Sequence, residues 1–322
     1  MGRSSDREAA KESGSASAAT VRSCTISAPD KCENPIKRTL VNLIPPATII
    51  AVILFWMFAP ASVTGSPWSI VVTGLAISFF VLGLEQLLER HEGWRLTRKE
   101  FATDLFYLAL QYTAIGWATE TLADKPLASF KESIGISTEW AMQMPFLLQV
   151  AFVVFLYEFG QYWMHRLMHD WYPAWLTHAP HHHITQLNAM KGSVGNPIEL
   201  FLISLSVIAI FVVSTFAHAN VRSDPPLFYS YVFTTIRHHS LHHTALSYED
   251  TRCNYGNSLI LLDRIFGTFR EGESEEVGQD DRKRLSIYEQ FVFPFQPLIN
   301  KYKARRDKLS SANIQGGEHL EK

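Results

Sequence analysis

Charge, cysteine and cofactor-binding motifs are what this chain has little of. Asp, Glu, Lys and Arg make up 19% of the 322 residues, and 29 basic against 31 acidic side chains leave a net charge of −2. So balanced a chain carries no electrostatic footprint for a nucleic acid. Its three cysteines, Cys24, Cys32 and Cys253, form no CxxC pair. That argues against a disulfide framework or a structural zinc site and fits a reducing, cytosol-facing environment. There is no glycine-rich phosphate loop, no haem, flavin or nicotinamide motif and no internal repeat. HExxH is also missing, so a zinc protease would lack its general base. No apolar core of a signal peptide follows the start.

What the chain does have is apolar mass and histidine. Hydrophobic residues reach 47% and aromatics 12%, yet mean hydropathy is only +0.01, so a polar part offsets an apolar one. Residues 1–36, rich in Ser, Ala, Gly, Lys and Glu, read as a disordered tail. Four apolar segments follow: Leu40–Val63, Trp68–Leu88, Phe101–Leu122 and Pro145–Trp163. Pro45-Pro46 sets the start of the first helix near Ala47. The second has the roughly 20 residues that a bilayer requires. With the turn at Pro60–Pro67, these two form a transmembrane hairpin over 37–93. The third carries Asp104, Gln111 and Glu120 and could lie partly in protein. Lys31, Lys37 and Arg38 precede the first segment, and Arg90, Arg95, Arg98 and Lys99 follow the second, which places both on the cytosolic side. Four crossings would return the chain to the cytosol at His165.

A fifth apolar run, Ile198–Ala217, raises a question of parity. A single crossing would separate His218 from the histidines before it, so a re-entrant hairpin is preferred over a helix buried in protein. Irregular backbone at depth is tolerated where protein covers it. The polar end, 271–322, includes YEQFVFPFQPLINKYKARR, which reads equally as an interfacial segment or a packed helix. The expected fold is all-α: a multi-pass membrane helical bundle with a histidine-rich helical cap on its cytosolic face.

Of the 13 histidines, only His91 and His319 lie outside the stretch from Glu158 to His243. Both are isolated and expected to be solvated. On a helix, positions three, four and seven apart share a face, so Glu158, Gln161, His165 and His169 form one polar stripe. An i, i+4 histidine pair is how one helix offers two imidazoles to a metal, and ionisable groups near lipid are costly unless paired or ligating. HAPHH then places His178, His181 and His182 at i, i+3 and i+4, and HSLHH repeats the pattern with His239, His242 and His243. A lone HxxxH is weak evidence, but this succession is specific. Eight imidazoles exceed the four of one tetrahedral zinc, so two metals are implied. Imidazole suits zinc, iron, copper and nickel alike. His183 and His238 fall outside the repeated pattern and read as neighbours of the site.

The succession HRLMH (165–169), HAPHH (178–182), HAN (218–220), HSLHH (239–243) and NYGNSLILLDRIFGTF (254–269) resembles the fatty acid hydroxylase/sterol desaturase superfamily over roughly 94–270. The resemblance implies a membrane-bound, non-haem di-iron monooxygenase of lipid biosynthesis. Such an enzyme uses O2 and two electrons to hydroxylate or desaturate an unactivated C–H of a sterol, fatty acyl chain or related lipid. Carried over by position, the metal ligands are His165, His169, His178, His181, His182, His218, His239, His242 and His243. His218, which has no local pattern of its own, is added by this resemblance. The cofactors implied are two iron ions, with zinc as a possible substitute in purified protein. The electron donor must be separate, cytochrome b5-like or ferredoxin-like with a reductase. The setting is a bacterial inner membrane or the endoplasmic reticulum.

One departure stands out. Many members carry a histidine before Pro-x-Glu, where this chain has Asn196-Pro197-Ile198-Glu199. Asn196 could hold a metal-bound water or not touch the site. Glu158 and Glu199 are candidates to orient imidazole N–H groups, Glu199 alternatively being a first-turn acid that the helix dipole favours. Asp263–Thr268 is expected to serve structure through an Asp–Arg pair and a glycine turn. Two other readings compete: a histidine-rich membrane protein that transports or handles metal, and a redox-inactive family member.

Overall fold

The computed structural model describes residues 34–318 apart from 67, 136, 138, 205–210, 246, 280 and 281. Most of the expected tail, and His319, lie outside the described residues. Those described form helices and loops, with two isolated antiparallel bridges, Glu89 with Val221 and Thr244 with Val277.

Asn34 caps the first helix, α1 (Pro35–Asn42), by accepting Ile36 N–H at 2.9 Å. It joins α2 (Ile44–Phe58) at a 41° bend. Pro45 and Pro46 sit in the first turn of α2, where a missing N–H costs nothing. After a one-turn helix (Ala61–Thr64), α3 runs over Trp68–Leu87. Thr97 then caps α4 (Arg98–Leu110). Helical backbone continues beyond it to Ser133 through π-helical turns at Gln111–Ile115 and Glu120–Asp124. Next is the 25-residue α5 (Phe146–Asp170), started by Pro145.

By length and composition α3 and α5 can each cross a membrane, and the bent α1–α2 pair would make a third span. The expected crossing at 101–122 is not among them. Its first turns belong instead to a polar cap, where buried Asp104 and Glu100 hold Lys191 at 2.6 and 2.5 Å. Large apolar side chains remain exposed on α2 (Leu54, Phe55), α3 (Phe79, Phe80) and α5 (Phe155, Leu156). A surface of this kind fits hydrocarbon rather than water.

The cap is made of short helices: α6 (Tyr172–His182), α7 (Pro197–Ser204), α8 (Phe211–His218), α9 (Leu227–Val232), α10 (Ile236–His242) and α11 (Ile260–Phe266). A C-terminal pair follows, α12 (Ile287–Val292) and α13 (Gln296–Glu318). The described residues of the run 198–217 lie in α7 and α8, and both of its ends return to the histidines. Glu199 lies 2.6 Å from His178, and His218 lies 3.0 Å from His239. The two ends therefore meet at one centre.

Buried carboxylates join the cap to the long helices. Glu85, near the end of α3, accepts the N–H groups of Ala189 and Asn220 at 2.7 and 2.8 Å. His91, expected to be solvated, is buried, and its Nε2 lies 2.8 Å from Glu273. Arg90 donates to the same carboxylate at 2.6 and 2.7 Å. Burial alone would raise the Glu273 pKa, but the bonds from Arg90 and His91 hold it down at about 2. Its folded value thus lies below its unfolded one. The stabilisation is full above about pH 4.5 and is lost as pH falls toward 2. Glu273→Gln should therefore lower the thermal midpoint at pH 7 and flatten the acid limb of stability below pH 4.5. The test is to follow melting against pH in detergent for both proteins; parallel curves would refute the coupling.

Candidate metal centre

The nine histidines of the sequence pattern converge on one buried volume as two groups. His165, His169, His178, His182 and His242 form the first, and His181, His218, His239 and His243 the second. Within each group the candidate ligand atoms lie within 4.8 Å of one another. The reciprocal sorting follows from helix geometry. At about 100° per residue, i and i+4 are about 40° apart while i+3 falls about 60° to the other side. So α6 gives His178 and His182 to the first group and His181 to the second. In α10 and the residue after it, His239 and His243 go to the second group and His242 to the first. The groups adjoin, with the His182 and His243 rings stacked at 4.6 Å.

Contacts at Nδ1 orient six of the nine rings with Nε2 inward. Nδ1–H donates to a backbone carbonyl in His165 (Tyr255, 2.7 Å), His181 (Val194, 2.8 Å), His218 (Ser214, 2.9 Å) and His242 (Cys253, 2.7 Å). In His178 it donates to the Glu199 carboxylate at 2.6 Å. His169 Nδ1 faces Thr251 Oγ1 at 3.4 Å, and that hydroxyl gives its own proton to the Tyr248 carbonyl. A neutral ring with its proton on Nδ1 presents a bare lone pair at Nε2. His165 and His178 point such lone pairs at each other across 3.0 Å. Burial pushes the Glu199 pKa up to about 8; while Glu199 is ionised neither ring has a proton to share, and the contact then repels unless a cation lies between them. The buried Nε2 atoms of His169 and His242 have no hydrogen-bond partner.

Protonation does not relieve this arrangement. Burial pushes the His178 pKa down to about 3, and burial together with the charge of His181 does the same to His218. Burial first, and neighbouring imidazoles second, also lower His182, His239, His242 and His243. The rings stay neutral, which is the form that binds metal. Two nitrogens at right angles, each about 2.1 Å from one ion, would be about 3.0 Å apart. The Nε2 separations of His165–His178, His178–His182, His218–His239 and His239–His243 are 3.0, 3.0, 3.0 and 3.2 Å. The donor set fits two ions of a metal that accepts imidazole.

Other expected residues fall elsewhere. Asn196 donates to the carbonyls of Gln290 and Phe291 at 2.8 and 3.1 Å and accepts Ile198 N–H at 3.0 Å. It caps α7 and ties it to α12, so its polar atoms serve that junction rather than a metal-bound water. Glu158 accepts the backbone N–H of Ser258 and Leu259 at 3.0 and 2.9 Å. It therefore braces the turn before α11, and Glu199 alone meets an imidazole. His183 packs on Phe293, and His238 contacts Thr235 and lies 3.5 Å from Glu271. Asp263 accepts from Tyr255 N, Gly256 N and Thr268 Oγ1, while Arg264 donates to the Tyr231 carbonyl. The expected Asp–Arg pair thus gives way to a carboxylate that knots the loop. The glycine turn is present, with Gly267 at φ 74°.

Asn254 and Gly195 are essential to this geometry and carried no signal of that in the pattern. Asn254 adopts φ 51° between Cys253 and Tyr255, whose carbonyls hold His242 and His165. Asparagine tolerates this left-handed backbone, and its amide donates to the His238 and Arg270 carbonyls at 3.0 and 2.9 Å. At Gly195 an added Cβ would lie 2.4 Å from Glu199 Oε2. Gly195→Ala should therefore push Glu199 off His178 and weaken metal binding by about 10- to 100-fold, with helical circular dichroism unchanged. Metal titration of both proteins checks it, and equal affinity would show that Glu199 does not orient His178.

Comparison with known proteins agrees with this arrangement. The Fatty acid hydroxylase family matches residues 150–268, which contain all nine histidines. The ornithine lipid hydroxylase OlsE of Rhizobium tropici is 25% identical over 287 residues, covering 79% of this chain and 83% of that protein. Human alkylglycerol monooxygenase is 30% identical over 161 residues, 44% of this chain but 35% of its own length. A probable Delta(7)-sterol 5(6)-desaturase of Neurospora crassa is 23% identical over 172 residues, 49% of this chain and 48% of its own. No solved structure matches the chain. With its histidine motifs in order and the matched family domain spanning them, the chain resembles the fatty acid hydroxylase/sterol desaturase superfamily of lipid-oxidising enzymes.

Proposed function

We propose that this enzyme uses O2 to hydroxylate a membrane lipid at an unactivated C–H, with two iron ions held by the nine histidines. The observation that carries the reading is the convergence of nine buried histidines in two groups whose ligand atoms lie within 4.8 Å of one another. One ion would take His165, His169, His178, His182 and His242, and the other His181, His218, His239 and His243. Bound iron supplies the redox chemistry that activates O2 toward a C–H bond. Imidazole also suits zinc, an expected substitute in purified protein.

The chain's own residues do the rest. Backbone carbonyls and Glu199 hold Nδ1–H so that Nε2 faces inward. Trp175, at 5.2 and 5.3 Å from the His169 and His182 rings, and Tyr255, at 5.3 Å from His169, cover the first group from water. Electrons come from a separate carrier, cytochrome b5-like or ferredoxin-like with its reductase. Hydroxylation is favoured over desaturation because the ornithine lipid hydroxylase aligns over most of both chains. The basic residues Lys37, Arg38, Arg95, Arg98 and Lys99 support a cytosolic site beside the membrane.

Iron-loaded protein with an electron donor and extracted membrane lipids should add one oxygen to a lipid under isotopically labelled O2. Mass spectrometry would locate the label. His178→Ala should bind less iron and lose this product. Equal product under nitrogen, or product without label, would sink the proposal.

A further inference from the structure

Beyond the metal centre, α13 presents a surface that is exposed among the described residues. Phe291 of α12 packs at 6.4 Å from Phe106 and 6.3 Å from Tyr107 on α4. Phe106 is exposed on the outer wall of that helical run, which continues through Trp117 and Leu122, also exposed. The chain thus leaves the protein at the edge of an apolar wall. It then turns through Phe293–Phe295 into α13.

Along this segment Phe295, Leu298 and Tyr302, spaced three and four apart, share one face. They are 48%, 67% and 70% exposed. Lys301, Lys303, Arg305 and Arg306 flank that stripe and are exposed. The single acid among them, Asp307, meets Arg306 at 3.3 Å. Residues 300–307 are exposed on every side, so intramolecular packing does not explain the aromatic stripe.

We propose that the first half of α13 lies on an anionic phospholipid surface, with Phe295, Leu298 and Tyr302 sunk into the headgroup layer and the basic side chains on the phosphates. Helices with an aromatic and apolar stripe between basic residues bind at this depth, and juxtamembrane lysine and arginine are drawn to anionic headgroups. A basic helix could also receive an acidic protein. The stripe argues for lipid, because it continues an apolar wall and puts apolar rather than polar groups at the centre of the contact. The inference rests on the chain being embedded in a membrane and not on the metal chemistry.

The test uses the full chain in nanodiscs, with a nitroxide on Leu298→Cys in a Cys24→Ser/Cys32→Ser background, Cys253 being buried. In phosphatidylcholine with phosphatidylglycerol, collisions with O2 should rise severalfold relative to those with a water-soluble nickel complex, and high salt should reverse the change. In phosphatidylcholine alone the label should stay in water. Exchanging Lys301, Lys303, Arg305 and Arg306 for Gln should abolish the difference. Equal exposure in both lipids overturns the proposal, as does immersion that survives the Gln exchange, or protection that appears only with an acidic carrier protein. A label on Phe79→Cys in α3 serves as the control: its failure to meet lipid would break the membrane reading itself.

Discussion

The constraint on which the rest of this structure depends is the confinement of nine imidazoles in one buried volume. Burial opposes protonation of the rings. Five of them are held from behind through Nδ1–H. The acceptors are carbonyls of Val194, Ser214, Cys253 and Tyr255 together with the Glu199 carboxylate. Val194, Cys253 and Tyr255 lie in loops, while Ser214 and Glu199 lie in α8 and α7, so the order of the site depends on loops and short helices together.

The side chains that do this are themselves buried and charged. Glu85 holds the backbone at 189 and 220, and Asp263 holds it at 255 and 256. Lys191 is gripped by Glu100 and Asp104, which anchors the loop leading to Val194. Breaking one member of such a pair leaves an uncompensated buried charge, typically worth about 3–5 kcal/mol. Every one of these contacts joins a cap loop to a helix end or to another loop. The long apolar helices act as a rigid floor, and the carboxylates tie the metal-facing loops to it.

How much of this was legible in the sequence depended on whether an interaction was local. His178, His181 and His182 announce themselves because helical periodicity alone sorts them into two groups, and His239, His242 and His243 repeat the same code. Glu158 shows where local reasoning fails. It lies on the polar stripe of His165, but a carboxylate about two turns before the cluster finds the turn at Ser258–Leu259, a hundred residues on. The misreadings of His91 and Arg264 share that cause, since their partners lie on distant segments or on backbone carbonyls that pattern does not mark. Asn254 is subtler still: its role is a backbone angle, which only the fold reveals.

The segment 198–217 joins these levels. Its length and hydropathy suit a crossing, and composition by itself does not place its ends. What places them is the chemistry at the two ends. Glu199 must reach His178 on α6, and His218 must reach His239 on α10, with both contacts made at one buried centre. A single crossing would carry one end away by the thickness of the bilayer and leave either a buried carboxylate or a buried imidazole without its partner. Both losses are costly where water is excluded. The polar residues that bracket the run thus decide where its two ends lie.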